Sequence, residues 1–358
     1  MVGIIFIGDL YVCPYLHRYT TICDINQVEY EVLFWNRCGE KLNLPKNYLY
    51  FEKTSKEEQN FIIKSIDFFK YRNWLKRCIK QRKYEKLIIL STLSGIVLFD
   101  LISKYKNRYI FDIRDYSYEH LKLFYKIERK IIRNSYYTAI SSPGFKNFLP
   151  QNDYFIIHNM QSSDLDHLGR FHKKHYGEVL NIVWNGTMRY FEHQRKIIKK
   201  LANDSRFIMY YYGDGPQLNK YKQYIEEHNI KNVFFTGKYN NSEKSKLLKN
   251  ADILNNSYWI EGKEKEVLYA LSNRYYDGLI YRIPQLVEAK TYKASLCEIN
   301  EIGIGIAPNI ENFSDKLYEW YFNINQSRFE ENCQKLLTKA IKEDREMSEK
   351  LTDFLTKE

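Results

Sequence analysis

Long apolar runs are scarce in this chain, and so are proline and glycine, at 7 and 15 of 358 residues. The longest apolar window, Leu87 to Phe99, is broken by Ser91, Thr92, Ser94 and Gly95 and falls short of the roughly 20 residues a membrane span needs. At the start, Met1 to Thr20 lacks a basic n-region and Ile4 to Ile7 is cut by Gly8 and Asp9, which predicts neither signal peptide nor anchor. The 6 cysteines (13, 23, 38, 78, 297 and 333) form no Cys-x-x-Cys pair and no Cys/His cluster. That spacing excludes a zinc module and predicts buried free thiols in a reducing compartment. A Walker A loop, Gly-x-Gly-x-x-Gly, Gly-x-Ser-x-Gly and His-Glu-x-x-His are all missing. P-loop hydrolysis, hydride transfer and zinc proteolysis are therefore disfavoured.

What is present is an ordinary globular balance, 44% hydrophobic and 28% charged, at a length that suits two domains. The net charge of +11 is lopsided: residues 1–176 carry 28 Lys+Arg against 18 Asp+Glu, and residues 177–358 carry 27 against 26. A block from Lys64 to Lys86 holds nine basic residues and two acids, interleaved with Phe68, Phe69, Tyr71, Trp74 and Leu75. Such a pattern suits an anionic surface, either lipid headgroups or nucleic acid, or else a solvated helix with one core-facing stripe.

Short apolar runs alternate with helix-length stretches, the sign of a parallel sheet covered by helices. In the first half the expected strands are Ile4 to Ile7, Glu31 to Phe34, Leu87 to Leu90, Tyr109 to Ile113, Thr138 to Ser141 and Phe155 to His158. Helices are expected from Lys56 to Arg82 and from Tyr118 to Arg133. After a polar stretch the alternation restarts with strands at Leu180 to Trp184, Phe207 to Tyr211, Val233 to Phe235, Asp252 to Leu254, Gln285 to Val287 and Gly303 to Ile306. The division predicted is a first Rossmann-like domain at 1–165, a linker at 166–178, a second at 179–325 and a terminal helix at 326–358. Two doubly wound α/β units facing each other across a cleft follow, with ligands at the carboxyl ends of the strands.

The informative motifs sit at those strand ends. Trp184-Asn185-Gly186-Thr187-Met188-Arg189 offers Gly186 for close backbone approach to a phosphate and Arg189 to neutralise it. Tyr212-Gly213-Asp214-Gly215-Pro216 is a tight turn into a helix, as a plain connection would also be. Ser272-Asn273-Arg274-Tyr275-Tyr276-Asp277 opens a helix whose free N–H groups and Arg274 suit an anion, with Asp277 one turn on for a ribose diol. A capped helix with a solvated Asp explains the same residues.

In order and spacing, these motifs together with Val233 to Lys238, Ala251 to Leu254 and Ile283-Pro284 resemble the nucleotide-sugar-binding half of GT-B glycosyltransferases. The likeness is to the family-four type of bacterial capsule and exopolysaccharide loci, over about residues 181–306. Phe111 to Tyr116, Ala139 to Phe145 and Ile157-His158-Asn159 resemble the acceptor domain more loosely, and the last helix resembles the one that returns to the first domain. The resemblance implies a peripheral cytoplasmic enzyme that moves a sugar from a nucleotide sugar to a lipid-linked saccharide acceptor, without a metal or other cofactor. It also implies retention of anomeric configuration, whereas an inverting route would use a general base.

The resemblance assigns Gly186, Arg189, Gly213, Ser272, Asn273, Arg274, Tyr275 and Asp277 to the donor. Many members carry two glutamates eight positions apart; here the second position is Asp277 and the first falls at Tyr269, leaving Glu261 as a carboxylate from a neighbouring loop. On the acceptor side Asp115 is expected as the base or acceptor contact, with Arg114 as its partner, Asp112 on the same strand face as Arg114, and His120 a turn further on. An Asp-Arg ion pair capping the next helix is the alternative. Gly8 and Asp9 are expected on the cleft floor. A nucleic-acid-binding protein and a GT-B-like sugar-nucleotide 2-epimerase remain the other readings, although no recognised nucleic-acid module is present.

Overall fold

The structure, a computed structural model, describes residues 1–55 and 60–357. It divides into two compact units, residues Met1–His158 with the chain from Lys342 onward, and Asn159–Ile341.

Unit 1 is built on seven parallel strands, β1 (Val2–Phe6), β2 (Tyr30–Asn36), β3 (Tyr48–Glu52), β4 (Lys86–Leu90), β5 (Tyr109–Ile113), β6 (Tyr137–Ile140) and β7 (Tyr154–Ile156), in the order 3-2-1-4-5-6-7. Strands such as Leu87-Ile88-Ile89-Leu90 are apolar at every position because helices cover both faces of the sheet. β3 was not expected. The other strands lie where the apolar runs predict them. The helix Phe61–Arg82 carries the basic block; the first residues expected for it, 56–59, lie outside the described residues. Its Tyr71, Leu75 and Ile79 face the core.

A second buried group in this unit is unusual. Glu128, on the helix Lys122–Asn134, is fully buried and neither carboxyl oxygen has a hydrogen-bond partner among the described residues. Burial, reinforced by Glu119, pushes its pKa from 4.5 to about 9. The folded state therefore holds a proton that the unfolded chain releases between these values, so this group's contribution is complete below about pH 4.5 and is lost as pH rises toward 9. Glu128→Gln cannot ionise and should gain stability over the unaltered protein as pH rises, by about 3 kcal/mol near pH 7. Urea midpoints at pH 5, 7 and 8.5 check this, and an advantage that does not grow with pH overturns it.

Unit 2 carries six parallel strands, β8 (Leu180–Asn185), β9 (Phe207–Tyr212), β10 (Val233–Gly237), β11 (Ile253–Asn255), β12 (Gln285–Val287) and β13 (Gly303–Gly305), in the order 10-9-8-11-12-13. The order reverses direction at β8, which places its carboxyl end at the switch point where open α/β sheets take ligands. Residues 159–178, expected partly as linker, are fixed to this unit. Phe171 is in its core, the Gly169 N–H donates to the Ile280 carbonyl at 2.9 Å, and Lys174 pairs with Asp252 at 2.8 Å. The helix Gln326–Thr356 is shared: Phe329, Cys333, Leu337 and Ala340 belong to the core of unit 2, and Met347, Leu351 and Phe354 to that of unit 1. Each set follows the three-to-four-residue spacing of one helix face.

Candidate functional site

At the end of β8 the backbone of two strands meets closely. Gly213 has φ 139°, and a Cβ there would lie 2.0 Å from the Gly186 carbonyl oxygen, so only glycine fits. Gly186, at φ 122°, donates its N–H to the Tyr212 carbonyl at 2.9 Å, and the Gly213 N–H goes to Gly237 at 2.9 Å. Both N–H groups join strand ends to one another, so a phosphate approaching Gly186 would not find its N–H free.

Arg274, in the first turn of the helix Asn273–Ile280, reaches back to this point. Its Cζ lies 3.5 Å from the centre of the Trp184 ring and its Nη1 donates to the Asn185 carbonyl at 3.0 Å. The Tyr258 ring centre lies 5.6 Å from the same Cζ. The guanidinium is thus held flat, and burial draws its pKa below the ordinary value while the nearby phenols act the other way. Its Nε is buried with no partner among the described residues, and so is the indole Nε1 of Trp184. An N–H donor without an acceptor costs free energy that an anion would return.

Ser272 precedes that helix and gives its hydroxyl to Asn256 Oδ1 at 2.6 Å rather than capping the helix with it. Asn273 is exposed at the first helical position, where its N–H lies beyond the reach of intrahelical acceptors. Arg189 is exposed, with its guanidinium 5.5 Å from the Tyr190 ring. Tyr275 is corrected: its ring is 4% exposed and packed in the core, because the inward face of the helix takes it. Glu261 is exposed and paired with Lys196 at 3.3 Å.

Asp277 is also corrected. Rather than presenting a carboxylate to ribose, it is 4% exposed, with Oδ2 accepting from Asn185 Nδ2 at 2.8 Å and Oδ1 from Lys244 Nζ at 3.0 Å. Lys244 bonds Asp164 as well, and Tyr281 donates to Asp164 at 3.3 Å. Burial alone would lower the Lys244 pKa, but the two carboxylates outweigh it and raise it, so the ammonium stays charged. Asp164 opens an Asp-x-Asp triplet, Asp164-Leu165-Asp166, but its carboxylate is spent on Lys244 and Tyr281.

Three further residues complete the surroundings of Arg274. Tyr258 donates its backbone N–H to Glu288 Oε2 at 3.1 Å; Lys293 Nζ lies 3.2 Å from the same carboxylate and 3.9 Å from the Tyr258 ring centre. Burial lowers the Lys293 ammonium to about 8. Sequence reasoning missed Lys244, Tyr258, Glu288 and Lys293; the one usable signal was a charge directly after an apolar strand, as in Leu286-Val287-Glu288.

In unit 1 Arg114 pairs with Asp112, the residue two positions before it on the same strand face. Arg114 Nη2 bonds Asp112 Oδ2 at 2.7 Å, Tyr19 donates to the same oxygen at 2.7 Å, and the guanidinium lies 4.0 Å from the Tyr15 ring centre. Asp112 is fully buried and Arg114 7% exposed, so the face they share points into the core. Asp115 is exposed, and His120 is exposed, stacked on Tyr116 and hydrogen-bonded to it at 3.2 Å. Asp9 receives the backbone N–H groups of Arg37 and Cys38 at 2.6 and 3.1 Å, which makes it a clasp for the loop after β2. Gly8 beside it lies against the Phe6 ring.

No family model and no curated protein matches the chain. Solved structures do. Sucrose-phosphate synthase from Thermosynechococcus elongatus aligns with TM-score 0.68 at 12% identity, over 97% of this chain and 98% of that one. HepE from Anabaena, solved in complex with UDP, gives 0.67 at 10% identity over 99% and 100%. WaaG, a glycosyltransferase involved in lipopolysaccharide biosynthesis, gives 0.61 at 11% identity over the whole of both chains. At such identities the likeness shows the fold, and that fold is GT-B.

Proposed function

We propose that the chain is a glycosyltransferase that takes a sugar from a nucleotide-sugar donor held by unit 2 and passes it to a saccharide acceptor. The observation that carries this is Arg274, a guanidinium held over Trp184 at the first turn of a helix beside the switch-point strand, with a buried N–H left without an acceptor. Glycosyl transfer needs the leaving diphosphate stabilised more as its charge develops. A fixed guanidinium and the helix N-terminus supply that from the protein, with Arg189 as a second, exposed cation. HepE was solved with UDP and with UDP-glucose, which favours uridine as the donor base here.

We further propose metal-independent transfer with retention, in bacterial surface polysaccharide synthesis, the donor phosphate taking the acceptor proton. Under inversion, Asp115 would be the general base. Titrating UDP, GDP, ADP and CDP and their common sugar conjugates, with and without EDTA, then following turnover with saccharide acceptors, tests this reading. No binding by any of them overturns it; free product formed without an acceptor points to an epimerase.

A lipid-linked acceptor would put the work at a membrane surface, and the helix Phe61–Arg82 supports this. Ile63, Ile66 and Phe69 are 49%, 48% and 59% exposed, on the same helix as exposed Lys70, Arg77 and Lys80. Several of the nine basic residues are engaged elsewhere: Arg72 and Lys76 hold Asp100, Arg82 lies 3.5 Å from Glu31, and Lys86 bonds the C-terminal backbone. Replacing Lys70, Arg77, Lys80 and Lys83 by Gln should therefore release the protein from anionic vesicles, at about 1 kcal/mol per charge, without disturbing those pairs. Raising the salt should do the same. Cosedimentation that is unchanged by both would show a solvated helix face.

A further inference from the structure

One carboxylate beside Arg274 has an oxygen to spare. Glu288 is 3% exposed at the carboxyl end of β12; Oε2 takes both the Tyr258 N–H and the Lys293 ammonium, and Oε1 has no partner among the described residues. Lys293 is fully buried and donates to the Asn256 carbonyl at 2.6 Å and to Asn256 Oδ1 at 3.2 Å. The same Oδ1 receives the Ser272 hydroxyl, and Ser272 precedes the Arg274 helix. The Tyr258 ring centre lies 3.9 Å from the Lys293 ammonium and 5.6 Å from the Arg274 guanidinium. Glu288 thus belongs to a polar network that reaches Ser272, two positions before the proposed diphosphate ligand. Bracing Tyr258 and neutralising Lys293 use a single oxygen; a structural brace alone leaves the second unexplained.

We propose that Glu288 is a specificity residue whose Oε1 accepts a hydrogen bond from a hydroxyl of the donor's sugar, with Lys293 holding the carboxylate in place. This rests on the donor reading of unit 2. The chemistry separates the two halves of the donor: an ionised carboxylate only accepts hydrogen bonds and repels phosphate, so a neutral group with an O–H is its complement, while Arg274 only donates and suits the diphosphate. Lys293 then has two tasks, to offset part of the burial that raises the Glu288 pKa and to pin the Asn256–Tyr258 segment through the Asn256 carbonyl.

The test compares each nucleoside diphosphate (UDP, GDP, ADP, CDP) with its sugar conjugates (UDP-glucose, UDP-galactose, UDP-N-acetylglucosamine, GDP-mannose, ADP-glucose) by calorimetry. It is run on the unaltered protein, Glu288→Gln and Glu288→Asp, with thermal melts alongside. Glu288→Asp keeps the charge for Lys293 but withdraws the oxygen by one methylene, so it remains informative if the Gln variant unfolds. The expected result is that the ratio of conjugate Kd to diphosphate Kd rises at least tenfold in both variants, while diphosphate affinity stays within threefold. Equal losses for both ligands, or no loss for either, would make Glu288 a brace only and overturn the proposal while the donor reading stands. Failure of the unaltered protein to bind any nucleoside diphosphate or conjugate would overturn both.

Discussion

Arg274→Ala should weaken nucleoside diphosphate binding by about 100-fold while leaving unit 2 folded, since charge-assisted hydrogen bonds contribute about 1.5–3 kcal/mol each and 1.4 kcal/mol is a factor of ten. Among the described residues the guanidinium makes one hydrogen bond, to the Asn185 carbonyl, and otherwise rests on the Trp184 ring with Tyr258 further off. Truncation therefore removes that bond and these ring contacts from the fold, on the order of 1–2 kcal/mol. Arg274→Lys restores the charge but neither the flat contact with Trp184 nor the fork of donors, and should recover only part of the affinity. Calorimetry with UDP, and melting of the same samples, separates the two effects. Comparable affinity in Arg274→Ala and the unaltered protein would move the anion site elsewhere.

The strands of both sheets were legible because parallel strands buried on two faces are apolar at every position, as Tyr109-Ile110-Phe111 shows, and such runs stand out from helical periodicity. β3 was not legible for the opposite reason. It is an edge strand, part-exposed along Tyr48-Leu49-Tyr50-Phe51-Glu52, and its tyrosines resemble the loop chemistry around them. Alternation correctly put Asp112 and Arg114 on one face of β5, but in a sheet covered on both sides a shared face does not say core or ligand, and here it was core. The spacing put Arg274 and Asp277 one turn apart on the same side of their helix, and both meet Asn185, one at its carbonyl and the other at its side chain. What the spacing did not carry was the partner. Asp277 finds Lys244, 33 positions away, and Glu288 bonds the Tyr258 N–H, 30 positions away. Pairings over such separations are set by tertiary packing and leave no local pattern.

Lys244 is where that packing is most exposed to a single change. Its ammonium is bonded to both Asp164 and Asp277, whose side chains are 8% and 5% exposed. Lys244→Met preserves most of the side chain's volume but leaves two buried carboxylates facing each other without a cation. Breaking a buried ion pair by removing one partner costs about 3–5 kcal/mol, which for a unit of this size lowers the melting temperature by roughly 10 °C. The triple variant Lys244→Met, Asp164→Asn, Asp277→Asn removes the charges along with the cation and should regain most of the loss, because the penalty lies in the orphaned carboxylates rather than in the missing attraction. The same reasoning fixes the pH dependence of the single variant. Carboxylates without their cation have raised pKa values, so Lys244→Met should be least destabilised in acid and progressively worse toward neutrality. Melting the three proteins from pH 4.5 to 8 measures both; a single variant as stable as the triple at every pH would show that the lysine carries no charge compensation.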